Sequence, residues 1–257
     1  MSRSPDPLFS IAGQNILIAG GAGGLGWPVA QELSKRGAHI AIADLDFQKA
    51  SACAETLSKN GGQSLAIGLN VTQRASCEAA CQHVAKSWGR LDGLVNASGI
   101  YRVGAALNLP DQDWQNSIDI NLTGSFQLAR AAGALMVPQK SGSIITITSV
   151  SSHVANPNYA AYAASKAGAA HVTRVLALEW AAAGVRVNAI GPAVTPTPLA
   201  AQIIDDPITR QNALAKIPMQ RFGTPEDLLA AVVFLLAPGT QFLTGQILYV
   251  DGGRTIV

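Results

Sequence analysis

Short apolar runs alternate with amphipathic helical stretches along almost the whole chain, and this alternation leaves few ways to fold. Strands are predicted at 15–20, 38–44, 64–69, 91–97, 142–149, 185–190 and 246–250. Helices are predicted at 24–36, 47–60, 74–88, 111–137, 159–183 and 225–236. A repeated strand–helix unit implies a parallel sheet covered by helices on both faces. Right-handed crossovers then favour a doubly wound α/β sheet of about seven strands, with ligands at the carboxyl ends of the strands. No linker-like or low-complexity stretch interrupts the pattern, so residues 1–257 read as one domain.

With 48% hydrophobic and 13% charged residues, the chain can bury a full core. The formal net charge is only +2 and the basic residues are scattered, which gives no signature of nucleic-acid binding. The opening Met1-Ser-Arg-Ser-Pro-Asp-Pro7 lacks an apolar leader core. The longest apolar run, 228–237, is too short to span a bilayer and stops at Pro238. A cytoplasmic protein without membrane contact is expected. The three cysteines, Cys53, Cys77 and Cys81, are an odd number and argue for free thiols. The four histidines, His39, His83, His153 and His171, form no ligand cluster, and no metal is expected.

The first strand runs into Gly20-Gly21-Ala22-Gly23-Gly24-Leu25-Gly26. Glycines between a strand and a helix allow a tight turn and bring backbone N–H groups close to a pyrophosphate at the helix N-terminus. Gly21, Gly23 and Gly26 satisfy one dinucleotide spacing, G-x-G-x-x-G. Gly20, Gly24 and Gly26 satisfy another, G-x-x-x-G-x-G. Asp44 ends the second strand about twenty residues on, where a carboxylate can accept both hydroxyls of an adenosine ribose. It would repel the extra phosphate of NADP. No Lys or Arg lies in the glycine turn or directly after Asp44, so NAD is the expected cofactor.

Tyr162 and Lys166 lie four residues apart in an Ala-rich helical stretch and so share one helix face. A free phenol, with a pKa of about 10, is a poor proton acceptor at neutral pH. A neighbouring ammonium favours the phenolate and is expected to draw that pKa down. Ser149 ends the strand just upstream and could hold a carbonyl or alkoxide oxygen beside the phenol.

In these motifs the sequence resembles the short-chain dehydrogenase/reductase family, whose site is a Ser followed about a dozen residues later by Tyr-x-x-x-Lys. The resemblance extends over 14–253 and selects the Gly20, Gly24, Gly26 spacing, with Leu25 inside it. It implies a Rossmann-like fold and reversible hydride transfer between NAD(H) and a secondary alcohol or ketone. Tyr162 would exchange the proton, Lys166 would tune it and bind the nicotinamide ribose, and Ser149 would hold the substrate oxygen. Asn121, in Asn121-Leu-Thr-Gly124, resembles the family's Asn-x-x-Gly. It would distort its helix and hold a water linking Lys166 to solvent. Asn70 and Val71 stand where the family contacts adenine, Asn70 through its carbonyl in place of the usual Asp. Asn96, Ala97 and Ser98 replace the start of the usual Asn-Asn-Ala-Gly on the adenosine side. Pro192, Thr195 and Thr197 match the loop that holds the nicotinamide carboxamide. Ala193 stands where that loop has Gly, and is hard to accommodate if the backbone there needs a positive φ.

The substrate is less legible. Arg102, His153, Asn156 and Tyr159, with Ser149 and Tyr162, are the candidate pocket residues; Tyr101 lies beside them in sequence. Their polarity leans toward a polyol, keto sugar or hydroxy acid, with Arg102 a carboxylate partner. Residues 196–219 match a lid-like segment, and by resemblance a homotetramer or homodimer is expected. Two other readings stand beside this one. The first is a catalytically silent NAD(H) sensor or scaffold, which loss of Ser149, Tyr162 or Lys166 would have favoured. The second is an enzyme reducing an activated C=C bond.

Overall fold

The computed structural model describes residues 6–257. Residues 1–5, on which part of the expectation about a leader rests, lie outside the described residues. Seven strands of the described residues form one sheet: β1 (Asn15–Ala19), β2 (His39–Asp44), β3 (Ser64–Gly68), β4 (Gly93–Asn96), β5 (Gly142–Ile147), β6 (Val185–Pro192) and β7 (Ile247–Val250). Their order is β3-β2-β1-β4-β5-β6-β7 and every pairing is parallel. The chain winds outward from β1 in one direction and from β4 in the other. The crevice between their carboxyl ends, where Ala19 pairs with Asn96, is the place where such sheets bind ligands.

Among the described residues, nine α-helices pack around the sheet: α1 (Gly26–Lys35), α2 (Phe47–Lys59), α3 (Arg74–Trp88), α4 (Asp111–Ser117), α5 (Ser125–Gln139), α6 (Ala160–Trp180), α7 (Ala201–Ile204), α8 (Pro207–Leu214) and α9 (Pro225–Leu236). Successive strand residues point to opposite faces. Ile16 and Ile18 of β1 therefore pack with Val29, Leu33, Leu57 and Val232 of α1, α2 and α9. Leu17 and Ala19 pack on the other side with Val84, Leu128 and Leu176 of α3, α5 and α6. Both faces are covered, so the central strand positions are mostly apolar. Burying each Leu, Ile or Val stabilises by roughly 1.5–3 kcal/mol, far more than helix propensity supplies per residue.

The cysteines are free. Burial pushes Cys77 up to about 11 and Cys81 up to about 12, so both are unreactive packing groups on α3. No helix of the described residues is long and apolar enough to cross a membrane.

Three predicted elements change. The single helix expected over 111–137 is broken: α4 ends at Ser117, residues Ile118–Gly124 form a π-helical turn, and α5 follows. Two contacts accompany the break. Asn121 bonds off its own helix, and Gly124 packs so closely on Val71 that a β-carbon would lie 2.8 Å from its Cγ2. The helix expected over 159–183 ends at Trp180 in a tighter turn, Ala181–Ala183, closed by Gly184 at φ 71°. The segment 196–219, which carried no strong pattern, holds α7 and α8. Thr224 and Asp227 form the reciprocal cap at the start of α9.

Candidate active site

The glycine turn opens from β1 directly over the crevice. Gly20 has φ 66°, and a β-carbon there would come within 2.9 Å of the backbone of Ala97 and Ser98. At Gly26 it would lie 2.1 Å from the Gly20 carbonyl oxygen. Within the turn, the Gly23 N–H donates to Gly20 O at 3.0 Å and Trp27 N–H to Gly23 O at 2.9 Å. Among the described residues, the N–H groups of Gly24 and Leu25 have no internal acceptor. Donors of this kind at the start of α1 suit a pyrophosphate.

Asp44, at the end of β2, is pinned to this turn. One carboxylate oxygen accepts from Ala22 N–H at 3.2 Å, the other from Asp46 N–H at 3.2 Å. The next residue, Leu45, is an exposed apolar side chain. Lys49 is paired with Asp46 at 3.3 Å.

Other residues expected to touch the cofactor are placed differently. Asn96 is buried, with Nδ2 donating to Ser125 Oγ at 3.0 Å and Oδ1 accepting from Ser98 N–H at 3.1 Å. It ties the crevice together from below and does not reach into it. Asn70 Oδ1 accepts from both the N–H and the hydroxyl of Thr72, at 3.0 and 2.8 Å, so the carbonyl expected to meet adenine is already engaged. Val71 is buried against Gly124. Ala97 and Ser98 face the glycine turn and line the cavity described next.

A cavity of about 320 Å³ gathers Ser149, Tyr162 and Lys166, with Leu25, Ala97 and Ser98 on one side and Pro192, Thr195 and Thr197 on another. Tyr101, Asn156 and Tyr159 also line it. Arg102 and His153 do not. The Arg102 guanidinium lies 3.5 Å from Asp113 and donates to Tyr101 O, and exposed His153 sits against the Tyr249 ring at 5.7 Å.

Lys166 is buried in α6, with Nζ donating to Ile147 O at 2.9 Å and lying 5.9 Å from the centre of the Tyr162 ring. Burial pulls the ammonium down to about 8. Burial also pushes the Tyr162 phenol up to about 12, against a hydrogen bond with Ser149 that pulls it down. The expectation that Lys166 draws the phenol down is not met here: burial dominates, and the opposing pull comes from the Ser149 hydrogen bond. Ser149 closes the group. Its backbone is extended and its Oγ accepts from Ser151 N–H at 3.1 Å, leaving the O–H as a donor.

Asn121 is fully buried beneath this group. Its Nδ2 also donates to Ser165 Oγ at 3.1 Å, and Ser165 Oγ donates to Tyr162 O at 2.8 Å. Gly99 leaves room above: a β-carbon there would lie 3.0 Å from Asn121 Oδ1 and 3.3 Å from Lys166 Nζ.

Ala193 causes no strain, since it is not among the positive-φ residues of the described chain, and its N–H donates to Val250 O at 3.3 Å. Thr195 Oγ1 donates to Ala193 O at 3.2 Å, and the Thr197 side chain packs on Gly24. The segment 196–219 covers the cavity: Ile203 and Ala213 pack on the Tyr101, Tyr159 and Tyr162 cluster. Ser165, Lys216 and Arg254 also belong to this region and were not singled out from sequence. Ser165 sits inside the Tyr-x-x-x-Lys spacing, but Lys216 and Arg254 lie in segments with no local signal of their own.

A dinucleotide turn feeding a cavity that ends in Ser, Tyr and Lys defines a nicotinamide-dependent oxidoreductase. A sequence model of a family described as enoyl-(acyl carrier protein) reductase, a short-chain alcohol dehydrogenase type, matches residues 20–255. The chain is 36% identical over 249 residues to the 5-keto-D-gluconate 5-reductase of Escherichia coli strain K12, covering 97% of this chain and 98% of that protein. It is 39% identical over 249 residues to the D-threitol dehydrogenase of Mycolicibacterium smegmatis, covering 96% and 95%. The crystal structure of a gluconate 5-dehydrogenase from Burkholderia cenocepacia, in complex with NADP and tartrate, superposes with a TM-score of 0.94 at 31% identity, covering 98% of each chain. The chain belongs to the short-chain dehydrogenase/reductase family.

Proposed function

We propose that the protein is an NAD(H)-dependent oxidoreductase that interconverts a secondary alcohol and a ketone on a polyol, keto sugar or hydroxy acid. The observation that carries the reading is the convergence of Ser149, Tyr162 and Lys166 at one end of a cavity reached from the glycine turn. The kinds of substrate named for the relatives support the same class.

The cofactor, when bound, takes up or supplies a hydride at the carbinol carbon. In the oxidation direction, Tyr162 as phenolate removes the hydroxyl proton while the C–H bond breaks and the C=O forms. In reduction, the protonated phenol returns that proton to the oxygen. Ser149 donates a hydrogen bond to the same oxygen and stabilises the charge developing there. Lys166, as the ammonium, favours the phenolate and holds the nicotinamide ribose. Asn121 keeps Lys166 in contact with solvent protons through a water. The fixed Asp44 carboxylate, followed by apolar Leu45 and with Lys49 paired to Asp46, supports NAD over NADP.

We further propose a homotetramer or homodimer built on α6 and α9, supported by exposed Leu178 and Val175 on α6. Three free thiols favour the cytoplasm. A second reading, reduction of an activated C=C bond, is favoured by the enoyl reductase description of the matching family; a Ser hydroxyl beside the phenol favours the carbonyl instead.

The test is nicotinamide absorbance with purified protein, NADH or NADPH, and a panel of keto sugars, keto acids, cyclic ketones and an enoyl thioester. Turnover of a ketone with NADH that disappears in Tyr162→Phe is expected. Tight NADH binding with no turnover across the panel would shift the reading to a silent sensor.

A further inference from the structure

Two cations outside the catalytic group meet in the same cavity. Lys216 follows α8, and Arg254 lies in the short turn Arg254–Ile256 near the chain's end. Lys216 Nζ and Arg254 Nη2 each donate to Asn156 Oδ1, both at 3.3 Å. Three segments distant in sequence thus place an ammonium and a guanidinium around one neutral oxygen.

Their surroundings leave both charges unanswered. Among the described residues, neither cation has a carboxylate within ion-pair distance: the seven ion pairs found lie elsewhere. The acidic residue closest in sequence, Asp251, instead accepts from Gly253 N–H at 3.0 Å and from the Thr255 N–H and hydroxyl, both at 2.7 Å. No Asp or Glu lines the cavity among the described residues, whereas Lys166, Lys216 and Arg254 all do. Two charge-assisted donors converging on an amide oxygen offer a carboxylate the same donors with a stronger partner.

We propose that Lys216 and Arg254 form an anion subsite that binds the carboxylate of the substrate while Ser149 and Tyr162 hold its reacting oxygen. Asn156 Oδ1 stands where one carboxylate oxygen binds. This rests on the carbonyl reading above and narrows it: the substrate class is a keto acid or hydroxy acid of the sugar-acid type, not a neutral polyol. The subsite also replaces Arg102, which faces Asp113, as the carboxylate partner.

The test separates binding from turnover. Calorimetry compares D-gluconate with D-glucitol, which carries CH2OH in place of the carboxylate, in wild type, Lys216→Gln, Arg254→Gln and the double variant. D-Glucitol 1-phosphate is the third probe. Thermal melts confirm that the variants are folded. Wild type is expected to bind gluconate at least about tenfold more tightly than glucitol, and the double variant to lose most of that margin. Tighter binding of the phosphate ester than of gluconate, lost in the double variant, overturns the carboxylate assignment and makes a phosphate the occupant. Equal affinity for gluconate and glucitol in wild type, or a preference that the double variant keeps, overturns the proposal. In turnover, 5-keto-D-gluconate is compared with L-sorbose, its neutral counterpart, and the ratio of their kcat/KM values is expected to fall in each variant. Anion binding that depends on Lys216 and Arg254, without turnover of any ketone, would sink the oxidoreductase reading and leave the subsite standing.

Discussion

Asn121 clasps Ile100 through both ends of its side-chain amide: Oδ1 accepts from Ile100 N–H at 2.8 Å, and Nδ2 donates to Ile100 O at 3.0 Å. One side chain therefore satisfies the backbone where the chain leaves β4 and, through Ser165, braces the helix carrying Tyr162 and Lys166. Asn121→Ala leaves these groups without partners. The expected cost is roughly 2–4 kcal/mol by urea denaturation, with a parallel loss in kcat. Full stability in that variant would show that water takes over the bonds and that the clasp is dispensable.

Tyr162→Phe keeps the ring and removes the proton. Its kcat/KM for ketone reduction is expected to fall by about 10²–10⁴, while the NADH dissociation constant, read by fluorescence, changes little. A comparable loss in NADH affinity would mean that the hydroxyl serves binding.

The pH response follows from burial. Reduction needs the phenol protonated, so its kcat/KM is expected to hold through neutral pH and fall in the alkaline range. Oxidation needs the phenolate and rises in the same range. Stability gives a separate reading of Lys166. Burial lowers it from 10.5 to about 8, so between those values the unfolded chain holds the proton more strongly. Lys166 therefore contributes a rise in stability with pH from about 8 toward 10.5, opposed from about 9 by the raised Cys77 and Cys81 and from about 10 by the raised Tyr162. Lys166→Met is expected to flatten that slope and to raise Tm at neutral pH while abolishing turnover. An unchanged slope would place the titration elsewhere.

Asp44→Ala removes the carboxylate held against Ala22. The preference for NADH over NADPH is expected to drop at least tenfold, chiefly through weaker NADH binding. A selectivity ratio that stays put would remove Asp44 from cofactor choice.

Gly24→Ala places a β-carbon 2.8 Å from both Cβ and Cγ2 of Thr197. Cofactor affinity is expected to fall, with partial recovery in Gly24→Ala/Thr197→Ser, which keeps the hydroxyl and loses the methyl. Additive losses in the double variant would show that the two positions do not share this contact.

Ser149, Tyr162 and Lys166 were legible because spacing and residue type suffice: four residues along a helix is a fixed geometry wherever the helix sits. The same holds for the glycine turn, where Gly20 and Gly26 fit only without a side chain. For Asn96 and Asn70, sequence shows an amide at the end of a strand but not the neighbours, Ser125 and Ser98 or Thr72, to which it bonds. Arg102 was claimed by Asp113 in the same way. Lys216 and Arg254 were invisible, since only the fold brings residues 216 and 254 to Asn156. The upward shift of Tyr162 is likewise a property of its burial, which spacing does not report.

The π-helical turn at Ile118–Gly124 lets a residue count carry positional information. α5 continues after it out of phase with α4 relative to an unbroken α-helix, and each residue of an α-helix turns through about 100°. Deleting one residue from this stretch would preserve every named side chain if an apolar position were chosen, yet restore the regular winding and rotate Asn121 relative to α5. Chain length here is as much a determinant of the site as side-chain identity.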